Sequence, residues 1–290
     1  MNKPAVLYAL IVLMVAFWSG NYIAGKIALR EFSPLLLAGL RIGFAGMMIL
    51  PVYLLKRRTE PRASGSGTVR LLLLGLFGVT LNQLFFIVGL SRTSVAHSAL
   101  IIGLGPMLVL FLACLRGLER MTARKATGMA IALVGVGVLK AFDPAPARAT
   151  WLGDFFIFLA ALFFALFTVI GKEATSQYSS VTVNTVAYVA GGVALLPVTL
   201  WEAGRHSLAH VSAGAWLSVI YMALFPSVIA YLIYYYALAH LAASRVSAFS
   251  YLQPVFASAM GVAILGERLG APVIAGGLVI LSGVYLAERG

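Results

Sequence analysis

The chain has 290 residues, of which 61% are hydrophobic and only 10% are charged. A soluble domain carries about 25% charged residues, so this composition excludes a soluble globular protein and indicates an integral membrane protein. The formal net charge of +12 does not indicate nucleic-acid binding, because Lys and Arg lie mostly between apolar runs, where they orient helices and meet anionic lipid.

Ten apolar runs follow in chain order, each long enough to cross about 30 Å of hydrocarbon as a helix. The N-terminus resembles a signal sequence, but no clean cleavage site follows, so we expect a retained first helix. A polar break at 142–150 divides the chain into predicted domains, residues 1–142 and 151–290. The predicted spans cover residues 5–24, 34–55, 69–90, 95–116, 124–142, 151–171, 181–201, 214–237, 243–265 and 271–287.

The two halves carry related sequences. Lys26 matches Lys172 at an offset of 146, and Pro106 matches Pro254 at an offset of 148, each proline being followed by an apolar run that ends in Glu-Arg. Chance similarity among apolar helices is the alternative, but a nearly constant offset favours duplication. Because each half holds an odd number of spans, the second half must enter the membrane upside down, which predicts an inverted repeat.

The loop charges predict the orientation. Basic residues concentrate in two connections of the first half, 56–70 and 116–125. Both connections lie on the same side of the membrane as the N-terminus if every span crosses. The excess of Lys and Arg on that side favours N- and C-termini in the cytoplasm.

Several stretches resemble a known family. The segments FWSGNYIAGK, SPLLLAGLR, SRTSVAHSALIIGLGP and ASRVSAFSYLQPVFASAMGVAILGER are similar to the two EamA domains of the drug/metabolite transporter (DMT) superfamily. The resemblance implies an all-α integral membrane transporter of ten transmembrane helices. It points most closely to the YddG-like group of amino-acid exporters in bacterial inner membranes. Efflux of drugs, nucleosides or purines is the alternative within the same superfamily.

The positions of the Asp and Glu residues indicate whether transport is coupled to a proton or cation gradient. All nine Asp and Glu residues fall in loops or at span ends, whereas proton relays and cation sites use carboxylates within the membrane. The first span offers Asn21 where the four-helix multidrug relatives hold a carboxylate. We therefore expect facilitated diffusion or exchange rather than a proton-coupled pump.

Uncharged polar and aromatic residues within the spans are the candidates for a substrate cavity. Side chains three or four positions apart share a helix face, and a cavity with aromatic walls and a few amides or hydroxyls suits a small zwitterion such as an amino acid. The predicted substrate-binding residues are Trp18, Asn21, Tyr22, Asn82, Gln83, Phe86, Ser98, Phe164, Phe167, Thr168, Tyr231, Tyr234, Ser247, Tyr251 and Gln253.

Each candidate has a structural alternative. The amides can simply hydrogen-bond between helices, and the aromatic rings can face lipid or anchor at the membrane surface. Gln253 can satisfy a carbonyl freed by the neighbouring proline. For Arg41 the sequence favours snorkelling to the outer surface or pairing with a carboxylate, and for His97 and Arg245 it favours an interfacial position.

Glycine and proline mark predicted hinges at Gly103, Gly105, Pro106 and Pro254, where proline within a helix kinks it and removes a donor. A static bend is the alternative. Glycines of the fifth and tenth spans predict close helix packing, and a homodimer through these spans is a further expectation. We find no nucleophile–base pair and no metal-ligand cluster, so we expect a carrier of small molecules without enzyme activity or cofactor. A channel, with flux that does not saturate, is the remaining class.

Overall fold

The computed structural model describes residues 3–56, 65–117, 120–141, 150–174, 177–241, 246 and 249–288. Within these residues every regular element is helical. In chain order they are α1 Lys3–Ala28; α2 Pro34–Lys56; α3, made of Ser66–Leu74, Gly75–Leu81 and Asn82–Leu90; α4, made of Val95–Ile102 and Gly105–Leu115; α5 Ala123–Ala141; α6 Trp151–Ala174; α7 Ser180–Arg205; α8, made of Ala213–Met222, Ala223–Ile229 and Ala230–His240; α9 Leu252–Leu265; and α10 Ala271–Glu288. Short 3-10 turns lie at Leu208–His210 and Phe249–Tyr251.

The helices have the length and composition of a multi-pass membrane protein. In the residues described, seven helices are long and apolar enough to cross a membrane, and Leu252–Leu265 and Ala271–Gly283 are shorter apolar helices. Large apolar side chains point outward, among them Leu55, 86% exposed, and Val193, 66% exposed. The all-α fold class predicted from the sequence is confirmed, and this set of helices fits the ten-helix fold.

Serine caps set where several helices begin. The hydroxyl of Ser33 accepts a hydrogen bond from the backbone N–H of Leu36 at 3.3 Å, and Ser179 accepts one from Thr182 at the same distance. Such caps satisfy backbone donors that a helix start leaves free. Ser33 and Ser179 are 146 positions apart, so α2 and α7 begin in the same way.

Both α3 and α8 contain one π-helical segment, Gly75–Leu81 and Ala223–Ile229. The two segments are 148 positions apart, which is the repeat offset of this part of the chain. Each contains a hydroxyl that bonds a carbonyl five residues earlier, Thr80 to Gly75 at 3.2 Å and Ser227 to Met222 at 2.8 Å. Such segments frequently lie at functional sites, and the sequence analysis did not predict them.

Helix pairing follows the repeat. Helix α2 packs on α7 and α5 on α10, while α1 packs on α8 and α3 on α6. Each pair joins a helix of one half to a helix of the other, and exchanging the halves regenerates the same pairs. This arrangement fits two inverted five-helix repeats.

The α5–α10 contact depends on glycine. A Cβ at Gly135 would lie 2.7 Å from the backbone N of Ile280, and a Cβ at Gly283 would lie 2.5 Å from the backbone N of Ala132. Because backbone atoms cannot move aside as side chains do, only glycine permits this approach. The close packing predicted for the glycines of these two spans is present.

The sequence analysis expected Pro106 and Pro254 to kink continuous helices, but the structure places both prolines near helix starts. Helix α4 is interrupted after Ile102, and Pro106 lies in the first turn of its second segment. Pro254 likewise lies in the first turn of α9, directly after the 3-10 turn. Proline is well tolerated at a helix start, where its missing N–H would have no partner. The hinge role of Gly103, Gly105, Pro106 and Pro254 stays a prediction.

Candidate substrate cavity

A cavity lies between the two halves, enclosed by α1, α2, α3, α4, α6, α8 and α9. It holds about 630 Å³ of empty space, including the part open to its surroundings. The residues that line it are Trp18, Asn21, Tyr22, Arg41, Asn82, Gln83, Phe86, Ile102, Gly105, Pro106, Val109, Ala161, Phe164, Tyr231, Ser250 and Gln253.

Aromatic rings form one wall of the cavity. Trp18 is held by a hydrogen bond from its indole Nε1 to the carbonyl of Pro226 at 3.1 Å. Its ring meets Phe164 edge to face, with centroids 5.6 Å apart, and Tyr231 in the same way at 6.0 Å. Edge-to-face contacts of this kind fix ring orientation. Trp18 therefore faces the cavity rather than lipid.

The amides of α3 bridge helices and line the cavity at the same time. Gln83 Nε2 donates to Tyr231 Oη at 3.1 Å, and Asn82 Nδ2 donates to the carbonyl of Ala160 at 2.8 Å. Tyr231 Oη in turn donates to the carbonyl of Gly78 at 2.9 Å. Both alternatives that the sequence left open, interhelical bonding and cavity lining, describe these two residues.

A second polar contact crosses the cavity between α1 and α9. Tyr22 Oη donates to Gln253 Oε1 at 3.2 Å, and its ring packs against Phe86 with centroids 5.2 Å apart. Gln253 therefore bonds to a side chain of the other half. The adjacent Asn21 is 6% exposed, and its amide oxygen has no hydrogen-bond partner.

Arg41 lies elsewhere than the sequence analysis predicted. It does not snorkel outward, and it pairs with no carboxylate of the described residues: it is 1% exposed, lines the cavity, and donates from Nε to Ser227 Oγ at 3.1 Å. Its Nη1 has no hydrogen-bond partner. The physical reason is the π segment of α8, which packs on α2 and places Ser227 against the guanidinium.

Some predicted residues lie behind the cavity wall instead of in it. Thr168 and Tyr234 are fully buried and joined by a hydrogen bond of 2.6 Å between their hydroxyls. Phe167 packs in the core beside them, and Ser98 donates to the carbonyl of Ser94 at 2.8 Å. Ser247 and the side chain of Tyr251 lie outside the described residues.

His97 lies inside the protein and does not snorkel outward. It is 1% exposed, and its Nδ1 lies 3.3 Å from Asp154 Oδ2 at the start of α6. The same carboxylate accepts a hydrogen bond of 2.5 Å from Thr93 Oγ1. A histidine buried against a carboxylate of the other half joins the two repeats, which the sequence position alone did not reveal. Arg245, its counterpart in the second half, lies outside the described residues.

Equivalent lysines hold the ends of α3 and α8. Lys26 Nζ donates to the carbonyl of Thr93 at 2.5 Å, and Lys172 Nζ donates to that of Leu241 at 2.8 Å. Lys172 Nζ also donates to the carbonyl of Leu238 at 2.5 Å, in the last turn of α8. Carbonyls at such a helix end lack backbone partners and carry partial negative charge, so a cation there is favourable. The matched contact explains why Lys26 and Lys172 correspond in the two halves of the sequence.

Glu31, in the turn between α1 and α2, joins the start of α8. It accepts hydrogen bonds from Ser212 Oγ at 2.5 Å and from the backbone N–H of Ser212 at 2.6 Å. These two bonds stabilise the carboxylate and lower the pKa of Glu31. The contact fastens the two halves at this end of the bundle.

The sequence model of the EamA-like transporter family matches the chain twice, over residues 5–140 and 151–288. The chain belongs to the EamA-like transporter family. It is therefore a multi-pass membrane transporter of the DMT superfamily, and its substrate is a small molecule. The limits of the two predicted domains stay a prediction, although the two matches fall within them.

Similar proteins match this EamA-like chain over nearly its whole length. An uncharacterized transporter of Archaeoglobus fulgidus is 28% identical, with 97% of this chain and 98% of that protein covered. The uncharacterized transporter YyaM of Bacillus subtilis is 27% identical, with 99% and 94% covered. A probable terminal-alkyne amino-acid exporter of Streptantibioticus cattleyicolor is 28% identical, with 96% and 92% covered. A solved crystal structure shares the fold, with a TM-score of 0.69, 16% identity, and 98% and 97% of the two chains covered.

Proposed function

We propose that this EamA-like transporter exports amino acids and related small metabolites through the central cavity by alternating access. It acts in the bacterial inner membrane with both termini in the cytoplasm, as the loop charges favour. The observation that carries the proposal is the lining of the cavity. Aromatic rings, amides and one unpaired guanidinium face the same space, which suits a small molecule that carries both charge and an apolar side chain.

One relative supports this choice of substrate. The Streptantibioticus cattleyicolor protein is named a probable terminal-alkyne amino-acid exporter and matches the present chain over 96% of its length. Amino acids with a compact apolar side chain would place that side chain against Trp18, Phe86 and Phe164. Their polar end would meet the amides of Asn21 and Gln83.

The helix interruptions beside the cavity support alternating access. Helix α4 breaks between Ile102 and Gly105, and both of these residues line the cavity. Backbone breaks at a central site are the places where helix bundles of transporters rock about the substrate. The predicted hinges at Gly103, Gly105, Pro106 and Pro254 are the positions that would absorb this motion. A homodimer remains a separate prediction.

Efflux of nucleosides or drugs is the second candidate function. The flat rings of Trp18, Phe86 and Phe164 line the cavity, and aromatic walls also bind nucleobases and planar drugs by stacking. Such neutral compounds would leave the guanidinium of Arg41 without a partner. The two candidates therefore predict different competitors for transport.

Counterflow in proteoliposomes tests the proposal. Vesicles loaded with unlabelled threonine, methionine and phenylalanine receive a trace of each labelled amino acid outside, with protein-free vesicles as the control. The proposal expects transient accumulation that saturates with substrate, which a channel cannot produce. A parallel set of vesicles is loaded with unlabelled nucleoside and receives labelled nucleoside outside. Accumulation in this set without any amino-acid accumulation in the first would refute amino-acid export in favour of the second candidate.

A further inference from the structure

A buried cation without a countercharge lines the cavity. Among the residues that the structure describes, Arg41 donates from Nε to Ser227, and its Nη1 has no hydrogen-bond partner although the residue is 1% exposed. In the part of the chain that the structure describes, no carboxylate forms an ion pair with it. An ionised side chain within a membrane is expensive unless it is paired. The unpaired guanidinium thus has the chemistry of a site for an anion.

The second half of the chain shows that the fold does not require this cation. At the offset of 146 the counterpart of Arg41 is Ala187, and at the offset of 148 the counterpart of Ser227 is Val79. Both counterparts are fully buried, in the equivalent contact of α7 with the π segment of α3. One copy of the contact is built from two apolar residues, so the Arg41–Ser227 pair in the other copy has a purpose beyond packing.

We infer that Arg41 binds the carboxylate of the transported substrate, with Ser227 holding the guanidinium in position. The inference rests on the proposed function and narrows it, since it requires a substrate with a free carboxylate. The planar guanidinium donates bonds in a fork that fits a carboxylate. The unpartnered amide oxygen of Asn21, which lines the same cavity, accepts a hydrogen bond from the substrate ammonium.

A carboxylate fits the site better than a phosphate. A phosphate ester carries about −1.5 to −2 charges at neutral pH, whereas Arg41 is the one Lys or Arg among the described residues that line the cavity. A single cation balances the single negative charge of a carboxylate. The site therefore selects monocarboxylates, including zwitterionic amino acids.

The test compares phenylalanine with phenylalaninamide, which keeps the ring and the ammonium but lacks the carboxylate. Two measurements are made on the full-length protein: competition against labelled phenylalanine in counterflow, and thermal stabilisation of the purified protein by each compound. The variants are Arg41→Gln and Arg41→Lys. Arg205→Gln is the matched control, because it removes an exposed Arg that stacks on Trp201, away from the cavity.

We expect the wild type and Arg205→Gln to prefer phenylalanine at least about tenfold over its amide in both measurements. Arg41→Gln should lower this ratio to about one, and Arg41→Lys should retain part of it, because Lys keeps the charge but loses the fork. Equal competition and equal stabilisation by the two compounds in the wild type would overturn the inference while the proposed function stands. Competition by a phosphate monoester stronger than that by phenylalanine would overturn it too.

Thermal stabilisation distinguishes a failure of the carboxylate site from a failure of the proposed amino-acid export. If no amino acid shows counterflow but phenylalanine stabilises the wild type and not Arg41→Gln, the carboxylate site stands and amino-acid export falls. If phenylalanine shows neither counterflow nor stabilisation, both are overturned. A melting temperature of Arg41→Gln measured without ligand shows whether the variant folds, and Arg41→Lys serves in its place if it does not.

Discussion

The two halves of the molecule agree in their framework and differ in the chemistry that they present to the cavity. The π segments, the serine caps of α2 and α7, and the lysines at the ends of α3 and α8 all occur at equivalent positions. At the cavity, Gln83 of the first half corresponds to Tyr231 of the second, and Arg41 corresponds to Ala187.

This difference shows how a duplicated fold acquires an asymmetric site. Repeated backbone features determine how the helices pack and where they break, so both copies must keep them. Side chains at the cavity can diverge more freely, because the two copies need not make the same contacts there. The first half supplies the guanidinium, most of the amides and the rings of Trp18, Tyr22 and Phe86, and the second half supplies the rings of Phe164 and Tyr231.

The largest effect is expected where the two halves are still equivalent in structure. Gly135→Ala and Gly283→Ala each place a methyl group against the backbone of the facing helix. We expect each to destabilise the protein by about 1–3 kcal/mol, the usual cost of overpacking, and to lower the melting temperature and the folded yield. Gly214→Ala, whose Cβ would have its nearest neighbour at 3.8 Å, is the control. Full stability of either α5 or α10 variant would contradict the close helix contact.

A smaller and functional effect is expected where the halves have diverged. Gln83→Leu removes the amide that donates to Tyr231 while keeping an apolar side chain of similar size. We expect the apparent KM for a transported amino acid to rise about tenfold, the equivalent of ~1.4 kcal/mol. Tyr231→Phe removes the other partner of the same bond. If both variants lower stability equally and neither changes KM, Gln83 only bridges helices.

The smallest effect is expected at the Glu31–Ser212 contact. Because the folded state lowers the pKa of Glu31, the contact stabilises the protein above the ordinary carboxyl pKa, and this stabilisation is lost as the pH falls through the lowered value. Glu31→Gln should therefore reduce the melting temperature slightly at pH 7. The difference from wild type should shrink as the pH falls through this lowered pKa and disappear once Glu31 is protonated. A difference that persists after protonation would mean that the carboxylate charge is not what matters.

Much of the fold was predictable because repetition and hydropathy are properties of the sequence. The matched Pro106 and Pro254 revealed the duplication, and uncharged polar residues within spans identified much of the cavity lining. These patterns depend on residue type alone. The all-α class and the family resemblance were confirmed for this reason.

What the sequence did not reveal depends on contacts between distant segments. Arg41 and His97 looked like residues that snorkel to a membrane surface, because His97 lies at the start of a predicted span and Arg41 about seven residues into one. Their burial follows from partners 186 and 57 positions away, Ser227 and Asp154. The π segments were equally hidden, since they differ from an α-helix by one residue in hydrogen-bond spacing.

The central claim, that substrate crosses through the cavity between the halves, is tested most directly by blocking that cavity chemically. Gly105 lines it, and a Cβ added there meets nothing within 4 Å, so Gly105→Cys should fold normally. Cys114 is the one cysteine of the chain, and its replacement by Ser leaves the new thiol as the single target. Gly204→Cys, which is also without neighbours within 4 Å and lies near the end of α7, is the control.

The measurement is amino-acid counterflow before and after treatment with a thiosulfonate reagent, and again after reduction. We expect treatment to abolish counterflow by Gly105→Cys, reduction to restore it, substrate present during treatment to protect it, and Gly204→Cys to be unaffected throughout. Undiminished counterflow by fully modified Gly105→Cys would contradict the account, because the substrate would then cross elsewhere.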